Sequence, residues 1–140
     1  MFVSVSNKNR ALAETEVHGA LVEALTQIYL AGKRVLVIIP DSTRTAPIPL
    51  LFRYLQEFLA GKVAALDYLV ALGTHPPMTD EALSRLMGAP VRDGLAGTSH
   101  IFNHRWDLAE TFTELGVLSA AEVATLSEGR LALEVPVRIN

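Results

Sequence analysis

The sequence contains no cysteine in its 140 residues. Disulfides, thiolate catalysis and cysteine-based zinc or iron–sulfur sites are thereby removed, and a reducing cytosol is compatible with the composition. No basic cluster occurs either. Charged residues make up 19% of the chain and the formal net charge is −3, which argues against nucleic acid as a partner. No apolar run approaches the roughly 18 residues a membrane helix needs. Met1 Phe2 Val3 Ser4 Val5 Ser6 lacks the charged region and apolar block of a signal peptide. A soluble cytoplasmic protein with no membrane partner is the expectation. Internal repeats and low-complexity tracts are missing. So are glycine-rich phosphate loops of the G-x-G-x-x-G or Walker type, which disfavours an ordinary nucleotide-dependent enzyme.

What the chain does have is apolar pattern. Half of its residues are hydrophobic, which excludes disorder, and its length suits one domain. The stretch from Arg34 to His75 organises it. A near-continuous apolar run, Val35 to Pro40, turns polar at Asp41 Ser42 Thr43 Arg44; a second, Leu66 to Leu72, gives way to Gly73 Thr74 His75 Pro76 Pro77. Both runs have strand length and branched residues, and a segment of helical period separates them. That is a βαβ pattern, so the two polar tails are expected on one edge of a parallel sheet, where ligands of open α/β folds bind.

The remaining elements follow from period and punctuation. Ala11 to Ala31 reads as a helix with Val17, Leu21, Leu25 and Ile28 inward. Another helix starts close to Pro49 and runs to about Ala60, with Leu51, Tyr54, Leu55 and Phe58 inward. Thr79 caps a third helix, which Gly88 and Pro90 stop. Ser99 to Phe102 is a third strand, Ser119 to Leu126 a short helix with Glu122 completing a capping box, and Leu131 to Ile139 a late strand at an edge or beginning after Pro136. An apolar strand at the end of the chain, in a sheet that wants cover on both faces, suggests a piece of a longer protein.

The strand ends carry the chemistry. Asp41 serves an Asx turn to the amides of Thr43 or Arg44, or together with Ser42, Thr43 and free amides before the helix it receives a polar or phosphorylated ligand. Arg44 lies at the unfavourable end of a helix dipole and needs an anion, either an internal Asp or Glu or a bound carboxylate or phosphate. His75, after Gly73 and before two prolines, is placed to exchange protons near neutral pH or simply to bond loop backbone. His104 and Asp107 are weaker candidates of the same kind, Trp106 reads as a partly buried wall, and His18 as a surface histidine. His75, His100 and His104 lack metal-ligand spacing.

These residues resemble a known family. Asp41 Ser42 Thr43 Arg44 with Pro47, then Ala71 Leu72 Gly73 Thr74 His75 with Pro77, Met78, Thr79 and Glu81, resemble the N-terminal domain of the nickel-dependent lactate racemases. Asn103 to Asp107, Leu115 Gly116 and Val135 to Asn140 are similar to later landmarks in order. The resemblance implies a racemase or epimerase of 2-hydroxyacids that uses a nickel pincer nucleotide as reversible hydride acceptor while a histidine takes the hydroxyl proton. On it, Asp41, Ser42, Thr43 and Arg44 line the cofactor, Arg44 also faces the substrate carboxylate, and His75 is one of two acid/base histidines. The second histidine, the lysine tether of the cofactor and the nickel ligand are expected beyond Asn140, in a C-terminal remainder of the same protein, so the isolated residues should be inactive. Ser42 stands where the family often has histidine and Pro76 where it often has arginine, which leaves the hydroxyacid open. Fold and function together are therefore expected to be a three-layer, Rossmann-like α/β domain with a mostly parallel sheet, forming the cofactor and substrate half of such an enzyme. The rival is a stand-alone, non-enzymatic module that holds an anionic metabolite or nucleotide at the same edge.

Overall fold

The computed structural model describes residues 3–140; Met1 and Phe2, which open the N-terminal segment read above, lie outside the described residues. Two compact units make up the chain. One runs to Leu72 and resumes at Met78–Asn103; the other comprises Gly73–Pro77 and His104–Asn140.

The first unit contains α1 (Glu14–Thr26), β1 (Arg34–Pro40), α2 (Ile48–Leu59), β2 (Ala65–Ala71), α3 (Asp80–Met87), β3 (Leu95–Ala96) and β4 (Ser99–Asn103). Its four-stranded sheet has the order β1-β2-β4-β3, with β1, β2 and β4 parallel and only β3 antiparallel. The α/β class and mostly parallel sheet expected from the alternating pattern are what forms. Pairing of β1 with β2 is unbroken from Arg34 opposite Ala65 to Pro40 opposite Ala71. Both strands therefore end at the same edge.

Strand side chains alternate between faces, and the alternation decides where the core lies. Ile39, Leu66, Tyr68, Val70 and Ile101 join Ile48, Phe52, Leu55 and Leu59 of α2 and Leu83 and Met87 of α3 in one cluster, with Leu21 and Leu25 of α1 packed against it. Leu36, Ile38, Leu69 and Phe102 fall on the opposite face, where Ile38 is 67% exposed. All three helices thus serve one face. Of the two helical layers in a three-layer domain, one is present among the described residues of this unit.

Element bounds differ from the sequence reading where apolar residues extend past a cap. α1 starts where the Glu16 carboxylate accepts the Ala13 N–H at 2.7 Å, and it ends at Thr26, short of the Ala31 expected. Ile28, assigned to its inner face, lies beyond that end and is exposed. α2 buries Ile48, Phe52, Leu55 and Leu59, a stripe at i, i+4, i+7 and i+11. Leu51 and Phe58, expected inward, are only partly buried. Nine of the twelve residues of this helix are apolar, so period alone leaves its rotation loose by one position. Thr79 caps α3 as expected, its Oγ1 accepting the Ala82 N–H at 3.3 Å.

Two contacts fix the ends of these elements. Gly88 closes α3 at φ +66°, and a Cβ there would stand 2.6 Å from the Cβ of Pro49, so α3 seats the first turn of α2. At the end of β4, Asn103 grips the backbone of Met78 with both amide atoms: Oδ1 accepts the Met78 N–H at 2.9 Å and Nδ2 donates to its carbonyl at 3.0 Å.

The second unit holds a 3-10 turn (Ala109–Thr111), β5 (Thr113–Leu118), α4 (Ala120–Leu126) and β6 (Val135–Ile139). α4 carries the expected capping box: Ser119 N–H and Oγ donate to the Glu122 carboxylate at 2.8 and 2.7 Å, and Ser119 Oγ accepts the Glu122 N–H. The late strand is β6. It pairs antiparallel with β5 in a separate two-stranded ribbon, with Pro136 opposite Val117 and a register shift between Glu114 and Gly116. Both strands of such a ribbon are edges, which is why a proline is tolerated.

Gly88→Ala is expected to lower unfolding stability by about 2–4 kcal/mol, since left-handed strain adds to overpacking. Gly61→Ala, with φ +76° but open space around the Cβ, is expected to lose only the strain contribution of about 1–2 kcal/mol. Urea unfolding compares the two. By the same measurement Asn103→Ala is expected to cost about 1–3 kcal/mol, through unpaired backbone groups at Met78.

Candidate functional site

β1 delivers the chain from Pro40 into a short turn before α2. Asp41 is charged yet only 6% exposed. Its Oδ1 accepts the Thr43 N–H at 3.0 Å and the Thr43 hydroxyl at 2.6 Å, while the Arg44 N–H donates to the Asp41 carbonyl at 3.3 Å. Asp41 therefore makes the Asx turn that the sequence suggests, through Thr43. That turn presents Ser42, Thr43 and Arg44 to solvent.

Among the described residues the Arg44 guanidinium makes no hydrogen bond or ion pair. Of the two explanations for this cation, the internal carboxylate is not found among the described residues. Backbone donors ahead of α2 are fewer than expected. Pro47 and Pro49 have no N–H, and the Ile48 N–H donates to the Ala46 carbonyl at 2.8 Å. An anion at this edge would accordingly meet the side chains of the turn more than the helix terminus.

His75 belongs to the second unit, in the segment Gly73–Pro77, and is exposed. Gly73 has φ +59° with nothing within 4 Å of a Cβ, so its conformation and not crowding calls for glycine. The carbonyl of His75 accepts the indole N–H of Trp106 at 3.0 Å. Trp106, read as a wall, instead ties down the backbone of the histidine. Next to it Arg105 holds Asp107 with two bonds of 2.8 Å, and this pairing keeps the Asp107 carboxyl below its ordinary range. Asp107 is thereby occupied. His104 buries its Nδ1 with no hydrogen-bond partner among the described residues. In the first unit His18 is exposed, as read, and its ring meets Tyr54 edge-on, with centroids 4.6 Å apart.

The structure gathers Asp41, Ser42, Thr43 and Arg44 into one turn of the first unit and pairs His75 with Trp106 in the second. Among the described residues no group of three His, Cys, Asp or Glu side chains could hold a metal ion. Sequence reasoning missed the positioning roles of Asn103 and Trp106. The signal for Asn103 was its place at the end of a strand in parallel register with β2, where it stands opposite Val70.

No curated protein matches the sequence. A crystal structure of a Thermotoga maritima protein, a structural-genomics target, is similar at 27% identity and a TM-score of 0.71, over 92% of this chain and 30% of that one. The chain thus spans less than a third of that relative's length. The family model described as the lactate racemase N-terminal domain matches residues 3–133. With that match over nearly its whole length, the chain belongs to the lactate racemase N-terminal domain family.

Proposed function

We propose that this domain binds cofactor and substrate for a 2-hydroxyacid racemase or epimerase whose remaining residues lie in a longer, full-length protein. The observation that carries the reading is Arg44: an exposed guanidinium without an internal partner among the described residues, on a turn ordered by Asp41 at the carboxyl edge of a parallel sheet. A carboxylate bound there receives two parallel N–H bonds and its charge is neutralised. Every 2-hydroxyacid carries that group.

The polar groups of the same turn fit a mononucleotide. The Ser42 hydroxyl, the Thr43 oxygen as an acceptor while its proton goes to Asp41, and one guanidinium suit a phosphate and a ribose, so Asp41, Ser42, Thr43 and Arg44 would hold the nickel pincer nucleotide, with Asp41 keeping the turn in shape. Its tether and nickel ligand are assigned outside these 140 residues. When bound, the group supplies a reversible acceptor for hydride from the chiral carbon.

His75 does half of the proton work. As one of two acid/base histidines, the other in the remaining residues of the full-length protein, it takes the hydroxyl proton of one enantiomer as the carbon becomes planar and gives a proton back when that enantiomer is rebuilt, while Arg44 keeps the carboxylate from turning with the flipping centre. Holding the His75 backbone, as the Trp106 indole does, limits where the imidazole can swing.

In the full-length protein, Arg44→Ala is expected to lower kcat/KM for hydroxyacid racemisation about 10- to 150-fold, the equivalent of a hydrogen-bonded charge. His75→Ala is expected to lower kcat about 10²- to 10⁴-fold. Optical rotation or chiral chromatography reads both, with circular dichroism confirming a kept fold. Wild-type turnover in either variant removes that residue from the mechanism.

A further inference from the structure

The sheet of the first unit is finished on one side only. Leu36 is 53% exposed, Ile38 67% and Phe102 47%, and with Leu69 they make a continuous apolar surface opposite the helices. A groove of about 400 Å³ crosses it, lined by Arg34, Leu36, Asp67, Leu69 and Phe102. Its polar groups stand toward one end, where the Asp67 carboxylate meets His100 Nδ1 at 3.3 Å. An apolar centre with a charged margin is the composition of a covered surface. Parallel strands ordinarily have such cover on both faces.

The winding of the chain says where the cover comes from. From β1 to β2 to β4 the sheet grows in one direction, and right-handed crossovers in one direction place their helices on one face. α1 joins the same core. In doubly wound sheets the other face is covered when the chain returns to the far side of the first strand. That far side is open as well: β1 ends the strand order, with no partner beyond it among the described residues. Open face and open edge coincide at the strand that carries Asp41 to Arg44. The family is that of an N-terminal domain, and the Thermotoga maritima relative has more than two thirds of its chain outside the match.

We propose that an amphipathic helix from the polypeptide C-terminal to this domain, in the full-length racemase, docks across Leu36, Ile38, Leu69 and Phe102. The inference rests on the reading that the domain is one part of a longer enzyme. Docking at this face sets the C-terminal region beside the edge from which the Asp41 turn emerges, so the rest of the enzyme is held by apolar burial and not by the cofactor alone.

The test uses the full-length protein with the photo-crosslinker p-benzoylphenylalanine introduced at position 38. Irradiation is expected to join position 38 to a peptide C-terminal to Asn140 within one chain, identified by mass spectrometry and independent of protein concentration. Crosslinks between two chains would assign the face to a second copy and overturn the proposal; absence of any crosslink would overturn it as well. In parallel, Ile38→Glu is expected to lower Tm by on the order of 5 °C or to prevent folding, because a carboxylate would be buried unpaired. An unchanged Tm would mean that the face is solvated, against the proposal. Turnover of Arg44→Ala and His75→Ala is read separately: if it stays at wild-type level while position 38 crosslinks as expected, the catalytic assignment falls and the docking stands.

Discussion

Seven unbroken parallel partners between β1 and β2, from Arg34 and Ala65 to Pro40 and Ala71, set the terms for everything else in the first unit. A one-residue slip would turn Val37 and Ile39 toward the bare face and put Leu36 and Ile38 under the helices. Register holds because the crossover helix α2 buries Phe52, Leu55 and Leu59 against one set only. The Asp41 turn is where it is because β1 stops at the same level as β2. Its chemistry is inherited from strand pairing, with local hydrogen bonds doing no more than shaping it.

Those local bonds still decide what the turn presents. A carboxylate that accepts both the amide and the hydroxyl of Thr43 keeps three consecutive side chains facing outward. Within each unit a backbone stretch is held by a side chain from elsewhere in that unit, Met78 by Asn103 in the first and His75 by Trp106 in the second. Both side chains act on backbone, a target that no side-chain pattern in the segment itself reveals.

The two apolar runs, the caps at Thr79 and Ser119 and the stop at Gly88 were legible in the sequence because each depends on near neighbours in the chain. The turn at Asp41 was legible for the same reason. What escaped was set by partners far along the chain. The rotation of α2 depends on which of its many apolar residues the sheet receives, and Phe52 and Leu59 won over Leu51 and Phe58. β5 escaped because its apolar residues are few and interrupted by Gly116. β6 took an antiparallel partner in a ribbon of its own, a choice that composition does not encode. The uncovered sheet face shows the limit most clearly: Leu36, Ile38 and Phe102 belong to the apolar runs read as strands, and among the described residues all three stay exposed.

Trp106 is the one tryptophan in the 140 residues, and its indole N–H is bonded to the carbonyl of His75. Indole emission shifts with hydrogen bonding and with access of water to the ring. The protein therefore carries its own optical reporter on the histidine segment, with no dye and no engineered label. Titrating a 2-hydroxyacid against that emission would show whether the backbone at His75 responds to it.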